Sequence, residues 1–144
     1  MATLEQAIAL AVQVHMGQKD KAGVPYILHP LRLMLRLERE EERIVAVLHD
    51  VVEDTSITFE DLRAMGFSET ILDALNHLTH REEVSYEEYI QKIHGHPMAR
   101  RIKLLDLEDN MDIRRLNHQC QEKDWVRLKK YRRAWGILQG LPLV

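Results

Sequence analysis

The sequence predicts an all-α fold, and two observations carry the prediction. Apolar residues recur mostly at spacings of three and four, the period of a helix, and no alternation of apolar and polar residues persists as it does in a strand. Capping residues and glycine or proline breakers also divide the chain into helix-sized segments. Because the 144 residues contain no linker, repeat or low-complexity stretch, we expect a single domain over residues 1–144, built as a bundle of seven to eight helices.

Capping patterns indicate where these helices begin. Thr3 with Gln6, and Ser85 with Glu88, match the capping box, in which two side chains satisfy free backbone N–H groups at a helix start. Pro97 suits a first helical turn, because proline lacks the N–H that would be unpaired there. The expected helices cover residues 3–15, 30–37, 41–54, 58–66, 68–78, a segment beginning at 85, 97–115 and 123–139, and a loop covers 17–25.

The third of these helices contains the strongest functional pattern. Its interior, residues 44–52, is apolar except at His49 and Asp50, and Glu53 and Asp54 follow at once. Such a helix is buried in the middle of a domain, where an unpaired charge costs several kcal/mol. A solvated helix end accounts for Glu53 and Asp54 but not for the buried His49–Asp50 pair, which a multivalent cation would stabilise. A spacing of four places His49 with Glu53 on one face and Asp50 with Asp54 on the next.

Two residues elsewhere complete a candidate metal site. His29 stands at a rigid helix entry, where the alternative is that it caps its own helix. Asp106 lies between leucines in another apolar helix and shares a face with Asn110, whereas Glu108 and Asp109 are interpreted as solvated. Mixed imidazole and carboxylate ligands suit manganese, iron or zinc, with open positions left for water and substrate.

Four segments, in this order, resemble the hydrolase domain of the RelA/SpoT guanosine-polyphosphate enzymes, and especially its small stand-alone relatives. They read HMGQ at 15–18, GVPYILHP at 23–30, LHDVVEDT at 48–55, and KLLD followed by NM within 103–111. The resemblance covers about residues 7–116 and implies an all-helical HD-type fold. It also implies that Mn²⁺, or another divalent transition metal, is bound by His29, His49, Asp50 and Asp106.

The same resemblance implies a reaction. Enzymes of this family remove pyrophosphate from the 3′ position of guanosine tetra- or pentaphosphate. Glu53 and Asp54 match the acidic pair that positions and activates the attacking water, and Asn110 matches a residue near the nucleotide. Lys21 is expected to meet a phosphate. The cation would lower the pKa of bound water and neutralise charge developing on phosphorus.

One residue of the loop over 17–25 departs from the family pattern. Asp20, between Lys19 and Lys21, stands where the family usually carries an arginine that meets the guanine ring. An aspartate offers an anion in place of a planar, stacking cation, which leaves base recognition open. Two alternatives therefore stay beside the guanosine polyphosphate: another nucleotide or small phosphate ester as substrate, and a nucleotide-sensing module that turns nothing over.

Composition narrows the class of partner. A formal net charge of −3 disfavours a nucleic-acid binder, and no apolar run reaches the ~18 residues that span a membrane. The basic and aromatic residues of 123–135 are interpreted as a solvated face with its aromatic rings on the core, or else as a positive wall at the site. With one cysteine, Cys120, and no signal peptide, we expect a cytoplasmic protein, and exposed helix faces leave a homodimer open. The HGHP segment at 94–97 is interpreted as a turn.

Overall fold

The computed structural model describes residues 1–142, and within that range it contains helices and no strand. The helices are α1 Leu4–Val14, α2 Leu28–Leu35, α3 Glu40–Leu48, α4 Val51–Asp54, α5 Phe59–Ala64, α6 Glu69–Leu78, α7 Tyr86–His94, α8 Pro97–Asn110 and α9 Glu122–Leu138, with a 3₁₀ turn at Ile113–Arg115. Because α3 and α4 are two parts of one expected helix, the count agrees with the predicted seven to eight. The predicted all-α fold is confirmed.

One predicted capping box forms in full and the other in part. Gln6 N–H donates to Thr3 Oγ1 at 3.2 Å, and Thr3 N–H donates to Gln6 Oε1 at 2.8 Å, which completes the capping box of α1. At α7, Ser85 Oγ accepts the Glu88 N–H at 3.1 Å, but the Glu88 side chain does not return the bond. Helix α2 differs from expectation, because it begins at Leu28, two residues before Pro30. His29 therefore lies inside the first turn of α2.

Helix α3 forms the centre of the core and packs against α1, α2, α6 and α8. Residues 45–48 are fully buried. Burying a valine or leucine side chain stabilises the fold by about 1.5–3 kcal/mol. Because four consecutive residues of α3 are buried, its neighbours enclose this part of the helix on all sides. The polar residues at its carboxyl end are consequently held in a fixed position inside the bundle.

The expected helix over 41–54 is broken at His49 and Asp50, which corrects the sequence prediction. The His49 N–H reaches Ala46 O only at 3.5 Å, while His49 Nδ1 lies 2.7 Å from the same oxygen. A side chain that takes a backbone acceptor competes with the helix, and α3 ends there. The face predicted for His49 with Glu53 does not survive this break, because His49 is buried and Glu53 is exposed. Asp50 and Asp54 remain one helical turn apart, with the Asp54 N–H donating to Asp50 O at 2.9 Å.

The chain after α8 also differs from expectation. The predicted helix over 97–115 ends at Asn110, and the 3₁₀ turn follows, with Asp112 Oδ1 accepting the Arg114 N–H at 3.2 Å. This turn carries Arg115 back towards the end of α8. Among residues 1–142, no helix is long and apolar enough to cross a membrane.

Candidate metal centre

His49 is buried where α3 ends, and only one of its ring nitrogens has a good hydrogen-bond partner. Nδ1–H donates to Ala46 O. Nε2 lies 3.1 Å from Asp50 Oδ2 and 3.4 Å from Asp106 Oδ1, but makes no well-directed hydrogen bond with either. Burial alone would lower the pKa of His49, but the charges of Asp50 and Asp106 raise it well above 6.5. The ring thus faces two carboxylates with a nitrogen that needs a proton or a cation.

His29 supplies a second imidazole from α2. Its Nε2 lies 2.8 Å from Asp106 Oδ1, and its Nδ1 lies 2.6 Å from Asp109 Oδ2. Because a carboxylate only accepts, Nδ1–H donates to Asp109, and this bond directs Nε2 at Asp106. Burial would lower the pKa of His29, but its hydrogen bonds to the two aspartates raise it. His29 does not cap α2, so the alternative considered from sequence is wrong.

Asp106, on α8, links both imidazoles and is itself strongly held. Lys103 Nζ donates to its Oδ2 at 2.7 Å, and Asn110 Nδ2 donates to its Oδ1 at 3.1 Å. Burial would raise the pKa of Asp106, but Lys103, His29 and His49 hold it well below its usual value. Asp106 is therefore an anion inside the core.

Asp50 lies at the break between α3 and α4, where Tyr26 OH donates to its Oδ2. Burial, and then the charge of Asp50, raise the pKa of Tyr26, so the phenol remains a neutral donor. Burial would raise the pKa of Asp50, but the neighbouring His49 lowers it. The tyrosine thus fixes one oxygen of this carboxylate beside His49.

The four predicted ligands lie together and fit a divalent cation. Atoms of His29, His49 and Asp50 all lie within 4.8 Å of one another, and Asp106 contacts both imidazoles. Ligand atoms about 2.0–2.1 Å from one cation are roughly 3.0–3.4 Å apart, close to the spacings observed here. His49 Nε2, buried without a well-directed partner, is the atom that a cation would satisfy.

The acidic pair that follows lies nearer the surface. Asp54 is partly surrounded, and burial, followed by the charges of Asp50 and Glu53, raises its pKa to about 6. Glu53 points elsewhere, because its Oε1 accepts the His80 N–H at 2.7 Å. The structure thus separates the two predicted acidic residues: Asp54 is exposed and is influenced by the charge of Asp50, while Glu53 joins α4 to the end of α6.

A cavity of about 360 Å³ adjoins this centre. Tyr26 and Asn110 line it, and each also contacts a predicted ligand. Lys21, the predicted phosphate contact, lies on its wall. The other basic residues of the wall are Lys19 of the same loop, Arg115 and Arg127, and its acidic residues are Asp20, Asp112 and Asp124.

The C-terminal helix contributes to this wall. Arg127, with Tyr131, lines the cavity. The interpretation of 123–135 as a solvated face is supported by the exposure of the other basic residues of α9, namely Lys123, Lys129, Lys130, Arg132 and Arg133. The expectation that its aromatic residues pack on the core holds for Tyr131 and Trp135. It is wrong for Trp125, which is 47% exposed.

Asp20 does not present a free anion to the cavity. Its Oδ1 accepts the N–H groups of Ala22 and Val24 at 2.8 and 3.2 Å, and its Oδ2 accepts Arg115 Nη2 at 3.0 Å. Gly23, at φ +81°, allows the tight turn that these bonds close. Although burial works against it, these bonds lower the pKa of Asp20. Its charge is therefore paired within the protein.

Sequence reasoning missed the residues that orient the ligands. Asp109 was interpreted as solvated, but its side chain is only 11% exposed and receives His29, Arg32 and Arg115. That interpretation is wrong, because the end of α8 faces α2 rather than water. Tyr26 and Lys103 both lie in the family motifs, but a motif does not specify which atoms a side chain contacts.

A second group of ligand-type residues lies on the surface. Atoms of Asp73, His77 and His96 come within 4.8 Å of one another. His96 Nδ1 accepts the Ala99 N–H at 3.1 Å and caps α8, and its Nε2–H faces Asp73 Oδ2 at 3.0 Å. Both ring nitrogens of His96 are therefore occupied by structural hydrogen bonds, in keeping with the interpretation of 94–97 as a turn.

Buried helices bring two histidines and two aspartates together beside a cavity, and this arrangement defines an all-helical fold of the HD class with a candidate metal site. Comparison with known proteins identifies the family within it. A zebrafish (Danio rerio) protein named guanosine-3′,5′-bis(diphosphate) 3′-pyrophosphohydrolase MESH1 is 32% identical over 154 residues, covering 97% of this chain and 84% of that relative. The chain belongs to the RelA/SpoT family, through likeness to its hydrolase part.

Other relatives are much longer. An Aquifex aeolicus guanosine-3′,5′-bis(diphosphate) 3′-pyrophosphohydrolase is 33% identical over 76% of this chain, and a Myxococcus xanthus GTP pyrophosphokinase is 31% identical over 83%. The chain spans only 17% and 18% of their lengths. No family model matches the chain.

A solved structure shares the fold. It is described as a metazoan ortholog of SpoT that hydrolyzes ppGpp, and it superposes with a TM-score of 0.76 at 20% identity, over 96% of this chain and 85% of that one. The arrangement of helices is therefore that of a known HD-type protein.

Proposed function

We propose that this protein is a divalent-metal phosphohydrolase that removes the 3′-pyrophosphate of guanosine tetra- and pentaphosphate. The observation that carries the proposal is the convergence of two imidazoles and two carboxylates on one buried point beside a basic cavity. The names of its relatives agree, because the zebrafish protein and the Aquifex protein are both named as 3′-pyrophosphohydrolases of this nucleotide.

His29, His49, Asp50 and Asp106 would hold the cation. A cation bound there supplies a Lewis acid, which lowers the pKa of a water molecule and counters the charge that develops on the attacked phosphorus. Manganese is our choice because the resemblance to the RelA/SpoT hydrolase domain implies it; two nitrogen and two oxygen ligands suit iron and zinc as well. The ring of His29 is already oriented by Asp109 and needs no rearrangement to present Nε2.

Asp54 is the residue that we propose as proton acceptor. A pKa near 6 leaves it mostly ionised at neutral pH while keeping it basic enough to take a proton from water. Glu53, held by the His80 N–H, would act by fixing α4 and the approach to the site. The two predicted catalytic residues thus receive different roles.

The cavity would receive the nucleotide. Lys19 and Lys21 place positive charge on its wall, which suits a polyphosphate, whereas Arg115 and Arg127 are paired there with Asp20 and Asp124. Asn110 reaches both the cavity and Asp106, so it stands where the nucleotide would meet the cation.

A second candidate keeps the chemistry and changes the substrate to another nucleotide or small phosphate ester. The observation that favours it is Asp20, which leaves the loop over 19–25 without a guanidinium of its own. We also propose that residues 1–144 act as one domain and that the protein works in the cytoplasm. A homodimer remains a prediction from the exposed helix faces.

The test is a substrate panel with protein stripped by chelator and reloaded with Mn²⁺. We expect pyrophosphate release from guanosine tetraphosphate well above phosphate or pyrophosphate release from GTP, GDP or other nucleotides. Equal release from plain nucleotides would favour the second candidate. Binding of guanosine tetraphosphate without release would point to a sensing module.

Substitution of Asp54 tests whether it is the proton acceptor. Asp54→Asn should lower turnover at least about 100-fold, in the range of general-base loss, without loss of Mn²⁺ binding. Glu60→Gln, which removes a carboxylate from the exposed face of α5, is the matched control and should leave turnover unchanged. Full activity in Asp54→Asn would remove Asp54 from the mechanism.

A further inference from the structure

Arg115 stands between the nucleotide cavity and the metal centre. Its Nη2 donates to Asp20 Oδ2 at 3.0 Å, and its Nη1 donates to Asp109 Oδ2 at 3.0 Å and to Asp109 O at 2.8 Å. Asp109 Oδ2 in turn receives His29 Nδ1 at 2.6 Å. An unbroken series of charged hydrogen bonds therefore runs from the loop over 19–25 to a predicted ligand.

The side chains of this series of hydrogen bonds are partly buried, which strengthens the bonds. The side chains of Asp20 and Asp109 are each 11% exposed, and that of Arg115 is 25% exposed, so all three are partly shielded from water. Charge-assisted hydrogen bonds in such surroundings are about twice as strong as neutral ones. The planar guanidinium uses two different nitrogens for two acidic groups from distant parts of the chain, which a lysine ammonium cannot do in one geometry.

Arg32 also holds Asp109 but ends there. Its Nε and Nη2 donate to the two Asp109 oxygens at 2.8 and 3.0 Å. Arg32 thus fixes Asp109 against α2, whereas Arg115 ties the same carboxylate to the loop that forms the cavity wall. Only the second contact relates the position of that loop to the orientation of His29.

We propose that Arg115 is a positioning residue that couples the loop over 19–25 to the metal centre through Asp109 and His29. The proposal rests on the proposed function for its cation, and it adds a residue that no motif of the sequence indicates. Displacement of the loop would relax Asp109 and misalign His29 Nε2. A correctly seated loop would keep the ligand set ready for the cation.

The test measures binding of Mn²⁺ alone, from the electron paramagnetic resonance signal of the free ion, without nucleotide. Arg115→Gln should weaken Mn²⁺ binding roughly 3- to 10-fold, below the 10- to 100-fold loss from removing a direct partner of a ligand, because Arg32 still holds Asp109. The direction of the change in Mn²⁺ affinity distinguishes lost positioning from a change in electrostatics. Removing a positive charge near a cation site would by electrostatics alone strengthen Mn²⁺ binding, so only lost positioning weakens it.

Neighbouring residues supply matched controls. Arg114, 88% exposed and bonded to Asp112, carries the same charge, and Arg114→Gln should leave Mn²⁺ affinity within about twofold. Arg115→Lys keeps the charge with one donor group and should fall between wild type and Arg115→Gln. Melting curves in chelator will establish that each variant is folded.

A double-mutant cycle tests the path through the loop. Asp20→Asn should weaken Mn²⁺ binding by about 2- to 3-fold in the wild type and have no further effect in Arg115→Gln, because coupled residues are not additive. Asp112→Asn, which removes the same charge from the wall of the same cavity, should not show this dependence on Arg115.

The outcomes separate this inference from the proposed function. Mn²⁺ binding as tight in Arg115→Gln as in the wild type, or tighter, would overturn the inference even if guanosine tetraphosphate is hydrolysed. The expected loss in a protein that hydrolyses nothing would leave the inference standing and remove the proposed function. A wild type that binds no Mn²⁺ would overturn both.

Discussion

Within residues 1–142, two groups of histidine and aspartate differ in burial and in hydrogen bonding. We call His29, His49, Asp50 and Asp106 the buried centre, and we call the surface residues around His96 the surface cluster, namely Asp73, His77 and His96. The three residues of the surface cluster, and His29, His49 and Asp50 of the buried centre, offer ligand-type atoms within 4.8 Å of one another. Residue type and spacing therefore do not by themselves distinguish a metal site from a structural cluster.

Hydrogen bonding distinguishes them. In the surface cluster, His96 accepts the Ala99 N–H with one nitrogen and faces Asp73 with the other. In the buried centre, His49 uses Nδ1 on Ala46 O and leaves Nε2 without a well-directed partner. His49 Nε2 is therefore an atom that a cation would satisfy, and His96 offers no such atom.

The largest expected effect comes from deleting one histidine of each group. His49→Ala should abolish stoichiometric Mn²⁺ binding and lower hydrolysis of guanosine tetraphosphate by about 1,000-fold or more, because a ligand is lost rather than a residue that orients one. His96→Ala should change neither by more than about twofold. Calorimetric titration with Mn²⁺ and a turnover assay give both values. Equal losses in the two variants would remove the distinction drawn here.

The next effect compares the carboxylates that contact a histidine in each group. Asp109→Asn should weaken Mn²⁺ binding by about 10- to 100-fold, because Asp109 orients His29. Asp73→Asn, which disturbs only the surface cluster, should leave Mn²⁺ affinity unchanged. The same titration checks both. Unaltered affinity in Asp109→Asn would mean that His29 is oriented without it.

A smaller effect is the pH dependence of the buried centre. The pKa values of His29 and His49 are raised above 6.5 in the metal-free protein, and a cation must displace those protons. Mn²⁺ affinity should therefore fall as pH decreases through neutrality, by about tenfold per pH unit for each proton displaced. Titrations in buffers of different ionisation enthalpy will count the protons released. Affinity independent of pH between 6 and 8 would contradict the raised pKa values.

In the metal-free protein, stability changes with pH in the opposite direction to Mn²⁺ affinity. A group with a raised pKa contributes stability that is fully present below its unfolded-state pKa of 6.5 and is lost as pH rises through the folded-state pKa. The metal-free protein should thus lose stability as pH rises above about 6.5 through this contribution, and saturating Mn²⁺ should reduce the loss. Urea unfolding with chelator and with Mn²⁺ gives the comparison.

The smallest effect belongs to the surface cluster. His96→Ala should lower the free energy of unfolding by about 1 kcal/mol, because it removes the N-cap of α8. His94→Ala, an exposed histidine at the end of α7, should change it by less than about 0.5 kcal/mol. Urea titration in chelator measures both. A His96→Ala protein of wild-type stability would leave the role of the surface cluster without support.

Much of the fold could be predicted from sequence because its signals are local. Thr3 and Ser68 cap helices through backbone N–H groups three residues away, a relation that sequence spacing states directly. The break at His49 could not be predicted in this way. It depends on an imidazole taking the Ala46 carbonyl inside a packed core, and the apolar pattern of 44–52 favours a continuous helix.

Residue types, local patterns and motifs are enough to indicate His29, His49, Asp50 and Asp106 as candidate cation ligands, because ionisable groups in an apolar interior require a partner. The residues that surround these four depend on how the helices pack. Asp109 orients His29, and Arg115 pairs with Asp20, although these residues lie 80 and 95 positions apart. Contacts over such separations arise from the packing of helices, which local sequence patterns do not specify.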